Sequence, residues 1–225
     1  MANVMANPTN FAPGRINQYV PGMKYSADVN YNAGTRVNFG APTAASANNV
    51  ANAVNMTTAG TTDLSAVLPL PEPYGRTVSY VAAAASTGTV NLNGYDYLGQ
   101  PMSEQITLNG ATPVAGKKAF KYFRNVTYTA SATTLSIGSA ASLGLPYKAV
   151  RCQFETANQA LVAPGTLVAP VLTDPQTATT GDPRGTYTPT TAFDGTTVIS
   201  AIFDMQNDVN LSNRGGLYGI PQFTN

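Results

Sequence analysis

Two carboxylates that flank a short turn are the residues of this chain best placed to do chemistry. Asp96 and Glu104 lie on either side of Gly99-Gln100-Pro101, a segment typical of the turn between two antiparallel strands. Carboxylates that approach each other across such a hairpin suit a glycosidase pair or a cation site. The alternative, which we favour, is that Asp96 caps the turn and Glu104 is a solvated strand residue.

Other common catalytic groups are missing. The chain has no histidine and a single cysteine, Cys152. The absence of histidine excludes a Ser-His-Asp triad and histidine-rich metal sites, and a catalytic thiol usually needs an activating base. Cys152 is therefore predicted to be a small buried hydrophobic residue. We expect no enzyme activity, no metal site and no cofactor.

The only basic cluster consists of Lys117, Lys118, Lys121 and Arg124. Aromatic residues interleave with these cations, which would suit the stacking of nucleic-acid bases. However, four charges in a chain of net charge +1 make a small electrostatic footprint. We expect a solvent-exposed strand end or a contact with another subunit instead, and nucleic acid is not an expected partner.

A second compact polar motif is Gly181-Asp-Pro-Arg-Gly-Thr. It lacks the Lys-Ser/Thr pair of a phosphate-binding loop. Asp182 is expected to cap the turn that Pro183 begins. Arg184 is expected to pair with a carboxylate, either within the chain or on a neighbouring subunit.

Charge is scarce along the whole chain. Only 10% of the 225 residues are charged, compared with about 25% in an average soluble domain. No charged residue occurs in residues 37–62 or 125–147. A neutral surface provides little repulsion between copies, and charge is depleted at the centre of protein interfaces. The composition favours surfaces that neighbouring proteins cover, although ordinary neutral loops would give the same pattern.

The pattern of residues from 76 onward predicts β-strands. Apolar and polar residues alternate in several short runs, and Asn109-Gly110 is a strong hairpin signal. Strands at this spacing predict a mainly β fold, an antiparallel β-sandwich or barrel-like domain. Its glycine turns are Gly94, Gly99 and Gly110, where we expect backbone conformations that a Cβ atom disfavours. The predicted buried residues are Ile106, Leu108, Phe120, Tyr122 and Val126.

Residues 1–75 are predicted to form a long extended N-terminal arm, and residues 76–225 a β domain with an irregular C-terminal tail. Proline, asparagine and glycine are frequent in the arm. Spaced aromatic side chains on an extended segment are typical of anchors that dock in separate pockets. An arm folded back on its own domain is the alternative. The predicted interaction residues are Phe11, Tyr19, Tyr25, Tyr31 and Phe39.

The chain start carries neither the basic nor the apolar region of a signal peptide. No stretch approaches the roughly 18 apolar residues of a membrane span. We therefore expect a protein that is made in the cytosol, stays there until assembly and has no membrane partner.

Several short motifs resemble virion proteins of tailed bacteriophages. The longest runs from Asn93 to Gly110, as Asn-Gly-Tyr-Asp-Tyr-Leu-Gly-Gln-Pro-Met-Ser-Glu-Gln-Ile-Thr-Leu-Asn-Gly, and a Lys-Ala-Phe strand at 114–121 follows it. The other motifs are Leu-Gly-Leu-Pro-Tyr at 143–147, Gly-Asp-Pro-Arg-Gly-Thr-Tyr-Thr-Pro at 181–189 and Asp-Gly-Thr at 194–196. The resemblance covers about residues 90–197.

The resemblance implies a structural component of a phage particle, in particular a capsid decoration (cement) protein that binds between capsomers and stabilises the head. Such a protein would form a homo-oligomer, for instance a trimer, and bind the phage major capsid protein. Its expected location is the capsid exterior of the virion, after assembly in the host bacterial cytoplasm. A tail-tube, neck or head–tail connector protein is the alternative. A carbohydrate-binding or carbohydrate-hydrolysing β-domain is a third hypothesis.

Overall fold

The computed structural model describes residues 34–205, and all helical or strand structure in this range is β-strand. Within the same range, no helix is long and apolar enough to cross a membrane. The strands are β1 (Gly34–Gly40), β2 (Ala51–Asn55), β3 (Gly60–Asp63), β4 (Arg76–Ala82), β5 (Thr89–Tyr95), β6 (Pro101–Thr107), β7 (Val114–Phe120), β8 (Tyr122–Tyr128), β9 (Thr134–Gly144), β10 (Ala149–Ala157), β11 (Ala160–Val162), β12 (Thr166–Val168), β13 (Thr186–Thr188) and β14 (Ile199–Met205).

These strands form three antiparallel sheets, which confirms the predicted fold class. The first sheet has the order β1-β14-β10-β11, and the third has the order β3-β8-β5-β6. The second sheet has the order β12-β13-β9-β4-β7, and β2 also pairs with β9. Their alternating burial, for example in β5 and β6, is the period expected of strands with one face on a core.

Two clusters of buried apolar side chains hold the sheets together. The first cluster packs between the second and third sheets. The second cluster packs the first sheet against strands β9 and β13. The long strand β9 serves both clusters, since Leu135 and Ile137 lie in the first and Leu143 in the second. The two clusters therefore share one continuous strand.

The prediction of an arm that reaches residue 75 is wrong for residues 34–75. β1 pairs with β14, β2 with β9 and β3 with β8, so this segment belongs to the β domain. Phe39, predicted to anchor on another chain, is 2% exposed and stacks on Tyr187 with ring centroids 5.9 Å apart. The physical reason is that β1 buries alternate residues, Val37 and Phe39, in the second cluster. Phe11, Tyr19, Tyr25 and Tyr31 lie outside the described residues.

The β-rich run after residue 119 is not one strand, because the chain changes sheet at Lys121. β7 belongs to the second sheet and β8 to the third. The alternation of faces restarts at this corner, so that Phe120 and Phe123 both enter the core, with ring centroids 6.3 Å apart. Tyr122 is 39% exposed, so its predicted burial is wrong. The predicted burial of the other four residues is confirmed: Ile106, Leu108, Phe120 and Val126.

The three glycines singled out in the sequence have two different structural roles. Gly99 and Gly110 have φ angles of +80° and +57°, as predicted. Gly94 does not have a positive φ angle, and it is required for space instead. A Cβ atom at this position would lie 2.3 Å from the carbonyl oxygen of Tyr122 on the paired strand β8.

Candidate functional site

Asp96 is a buried turn cap that also forms an ion pair. Its Oδ1 accepts hydrogen bonds from the backbone N–H groups of Leu98 and Gln100, both at 2.8 Å, so the predicted cap is confirmed. Its Oδ2 lies 2.6 Å from the Nη2 of Arg184, and both side chains are at most 2% exposed. Asp96 therefore has a structural partner on each oxygen.

Glu104 is buried in β6, and the prediction of a solvated residue is wrong. It accepts a hydrogen bond from the Tyr80 hydroxyl at 3.0 Å and bonds from the backbone N–H groups of Lys117 and Lys118. Burial raises the pKa of Glu104, although these hydrogen bonds oppose the shift. A glycine at position 116 makes room for the carboxylate, since a Cβ there would lie 2.2 Å from its Oε2.

The basic cluster is dispersed in the structure. Lys118 is fully buried, and its Nζ donates to the carbonyl oxygens of Ser103, Pro175 and Thr177 at 2.8, 2.6 and 2.8 Å. Burial lowers the pKa of Lys118 to about 8 against the attraction of nearby carboxylates. The ammonium group of Lys121 also donates to backbone carbonyls. The cluster therefore offers no four-charge surface for nucleic acid.

The Gly181-Asp-Pro-Arg loop is pinned to β7 and to the β5–β6 turn. Asp182 accepts a hydrogen bond from the backbone N–H of Arg184 at 2.8 Å, which confirms the predicted cap, and another from the N–H of Ala119 at 3.0 Å. Arg184 pairs within the chain, with Asp96, and its guanidinium carbon lies 4.8 Å from the centroid of the Tyr97 ring. Burial raises the pKa of Asp182, and the positive charge of Arg184 opposes that shift.

The motifs that carry the phage resemblance, other than Asp-Gly-Thr at 194–196, meet at these residues. Tyr97 donates a hydrogen bond to the carbonyl oxygen of Pro146 at 2.8 Å, which joins the first motif to Leu-Gly-Leu-Pro-Tyr. β13, within the Gly-Asp-Pro-Arg motif, pairs with the end of β9 that begins Leu-Gly-Leu-Pro-Tyr. We call this cluster the polar node. Its members are Asp96, Tyr97, Glu104, Lys118, Asp182 and Arg184.

The polar node is suited to holding segments of the chain together and not to acting on a substrate. Asp96 and Glu104 are each 1% exposed, so neither carboxylate is accessible to a carbohydrate. Each carboxylate also has partners of its own, Arg184 for the first and Tyr80 for the second. Buried charges that are paired and hydrogen-bonded hold distant segments in one arrangement, and here only the Nη1 of Arg184 is buried without a hydrogen-bond partner among the node's side-chain atoms. The node thereby fixes the connection between β12 and β13 to the hairpin of β5 and β6.

Sequence reasoning missed a further buried carboxylate outside the polar node, Glu155 in β10. Its Oε2 accepts hydrogen bonds from the Tyr187 hydroxyl at 2.6 Å and from the N–H groups of Gly165 and Thr190 at 3.0 and 3.1 Å. Its Oε1 accepts from the N–H and hydroxyl of Thr191 at 3.0 and 2.8 Å. Burial raises the pKa of Glu155, but these bonds outweigh it, and the pKa falls below its usual value. A lone glutamate followed by a threonine-rich segment carries no recognisable motif.

Cys152 lies beside Glu155 and packs as a hydrophobic residue, but it is half-buried and not buried as predicted. Its Sγ is 3.3 Å from the hydroxyl oxygen of Tyr187, and the side chain packs on the second cluster. Burial raises the pKa of the Cys152 thiol, which disfavours the nucleophilic thiolate. No group of three or more potential acidic or cysteine metal ligands forms anywhere in residues 34–205.

Most of the charge of the described chain lies inside it. Ten of the 18 charged residues in 34–205 are buried. They are Glu72, Arg76, Asp96, Glu104, Lys118, Lys148, Glu155, Asp182, Arg184 and Asp204. Charged residues are rarely buried in ordinary proteins. The exterior of the described domain is consequently even more neutral than the composition indicates.

One shallow cavity lies on the outer face of the first sheet, and we call it the Phe154 groove. Its volume is about 230 Å³. Phe154 is 48% exposed there, so a large apolar side chain stands open to solvent. The lining residues are Arg36, Phe154, Thr156, Gln159, Ser200, Ala201 and Ile202.

No protein-family model, curated protein sequence or solved structure matches this chain. The resemblance to phage virion proteins therefore stays a prediction from the sequence motifs. The structure adds one physical fact about those motifs, which is that residues of all of them except Asp-Gly-Thr at 194–196 contact one another at the polar node.

Proposed function

We propose that this chain is a non-enzymatic structural protein of a tailed-bacteriophage virion, and that it is a capsid decoration protein. In this role it binds the outer surface of the head between capsomers and stabilises the shell. Its partners are copies of itself and the major capsid protein.

The observation that carries this proposal is the placement of charge. More than half of the charged residues in 34–205 are buried, and the exposed exterior is rich in uncharged polar residues. A free monomer usually relies on surface charge for solubility, whereas charge is depleted where proteins meet. Exposed apolar side chains on this neutral exterior support the same proposal. They include Leu68, Val150, Phe154 and Leu161, at 83%, 58%, 48% and 69% exposure.

The polar node supports a structural role for the motifs. The charged motif residues Asp96, Glu104 and Arg184 are buried and bonded within the chain, whereas Lys117 and Asp194 are exposed. These motif residues thus hold a scaffold together. This arrangement fits a virion protein better than a hydrolase, whose carboxylates must reach a substrate.

A reconstruction of purified virions of the phage that encodes this chain tests the placement. We expect density for the domain of residues 34–205 on the outer shell, between capsomers. Hexameric rings of this density in the tail would favour the tail-tube alternative, and density at the portal would favour a neck or connector protein. Absence of the chain from purified virions would contradict the proposal altogether.

A further inference from the structure

The two ends of the described chain lie side by side in the first sheet, in one row of residues that are paired across neighbouring strands. Gly34, the first residue of β1, is the register partner of Asp204 in β14. Asp204 in turn pairs with Arg151 of β10, and an ion pair of 2.8 Å joins their side chains. The N-terminal 33 residues and the C-terminal 20 residues therefore attach to two neighbouring strands, β1 and β14, at the same end of the first sheet.

The Phe154 groove begins in the next row on the same face of that sheet. Arg36 is the partner of Ile202, and Ile202 is the partner of Phe154. Ser200 and Thr156 form the row after that and also line the groove. β1 runs from Gly34 towards these rows, so the groove lies ahead of the point where the chain enters the sheet. Extending the line of β1 backwards from Gly34 leads away from the groove of the same molecule.

The groove has the chemistry of a site for one aromatic side chain with a polar tip. Phe154 and Ile202 offer apolar walls, and Arg36 places a guanidinium at the rim, where it can lie over a ring. The hydroxyl of Thr156 donates to the carbonyl oxygen of Ser200 at 3.3 Å and can still accept a hydrogen bond from a phenol, whereas the buried hydroxyl of Ser200 already accepts from the Nη2 of Arg36 at 3.3 Å. Its volume of about 230 Å³ is below the roughly 300–1,000 Å³ of pockets for larger ligands.

We propose that the Phe154 groove binds the tyrosine-bearing segment 19–31 of a second copy of this chain. That segment carries Tyr19, Tyr25 and Tyr31 and, in Lys24 and Asp28, one charge of each sign, so it matches a groove that is mostly neutral. Because β1 runs from Gly34 towards the groove, the segment would have to reverse its direction to reach the groove of its own molecule, whereas the groove of a neighbouring copy requires no such reversal. This inference shares with the proposed function only the premise that copies assemble, and it is testable without phage heads.

Sedimentation of the full-length protein tests the contact. We expect wild type to self-associate, and Phe154→Ala to raise the dissociation constant about tenfold or more, because a large apolar contact is lost. A variant with Tyr19, Tyr25 and Tyr31 all changed to Ala should show the same loss. Combining both changes should add little, since each removes the same contact. Leu98→Ala, a 55% exposed leucine in the β5–β6 turn, is the matched control and should leave association unchanged.

Cysteine cross-linking distinguishes a second copy from the same copy. One full-length chain carries Thr156→Cys and another, of different tagged size, carries Tyr25→Cys, both with Cys152→Ala. We expect an oxidised product that joins the two sizes. A third chain carries both Thr156→Cys and Tyr25→Cys, and a disulfide that forms only within this chain would overturn the proposal. A monomeric wild type would also overturn it, as would an effect of Phe154→Ala on association no larger than that of Leu98→Ala. Any of these results would leave attachment to phage heads a separate question.

Discussion

The Nη2 of Arg184 lies 2.6 Å from the Oδ2 of Asp96, although 88 residues separate them in sequence and both side chains are almost fully buried. This ion pair joins two of the motifs that resemble phage virion proteins. It also places the guanidinium of Arg184 over the ring of Tyr97. The node therefore couples a surface hairpin to the long connection before β13.

Removing one partner of this ion pair should strongly destabilise the fold. Arg184→Leu leaves the Asp96 carboxylate buried without its cation, and we expect a loss of about 3–5 kcal/mol in the free energy of unfolding. Urea titration followed by circular dichroism measures it. The matched control is Arg151→Ala, which breaks the ion pair with Asp204 at a side chain that is 70% exposed. That change should cost at most about 1 kcal/mol. Equal effects of the two substitutions would contradict the structural role of the node.

The two kinds of glycine should respond differently to alanine. Gly94→Ala places a methyl group 2.3 Å from a backbone oxygen that cannot move without breaking the β5–β8 ladder. We expect a loss of more than about 2 kcal/mol, as for other forced overpacking. Gly99 has open space around it, so Gly99→Ala should cost only the left-handed backbone term of about 1–2 kcal/mol. Gly99→Asn should recover part of this loss, whereas Gly94→Asn should not.

The hydrogen bonds of Glu155 predict a specific pH dependence. Its pKa is lowered in the folded state, so its stabilising contribution is fully present above the unfolded value of about 4.5, declines below that value and is lost as the pH falls through the lower folded-state pKa. Glu155→Gln should destabilise the protein at pH 7 by about 2–3 kcal/mol, because a charged acceptor is lost. The difference from wild type should shrink when urea titrations are repeated at pH 3.5. A difference that stays constant between the two pH values would contradict this assignment.

Short-range patterns predicted the strands and turns well, because alternation, Asn-Gly and Asx caps act over a few residues. The caps at Asp96 and Asp182 are examples. The corner at Lys121 could not be predicted, because it depends on which sheet each neighbouring strand joins. The burial of Glu104 and Lys118 was also missed, because a charged residue is predicted to be solvent-exposed unless its distant partners are known. Phe39 was misplaced because the prolines before and after β1 obscured a short strand.

Truncations should separate the β1 strand from the segment before it. Deleting residues 2–33 removes no described structure, and we expect the thermal melting temperature of the β domain to change little. Deleting residues 2–40 also removes β1, with Val37 and Phe39 from the second cluster. Loss of a buried aromatic alone costs about 3–5 kcal/mol, so this variant should melt far lower or fail to fold. Similar melting of both variants would show that β1 is dispensable.

Co-sedimentation of the purified full-length chain with preformed phage heads that lack it tests the central claim most directly. We predict saturable binding at a fixed number of copies per head and a higher disruption temperature of the decorated shell. The polar-node variant Arg184→Leu should lose binding only to the extent that it unfolds. A folded wild-type chain that stays in the supernatant at saturating concentration, or binds without stabilising the shell, would contradict a decoration role.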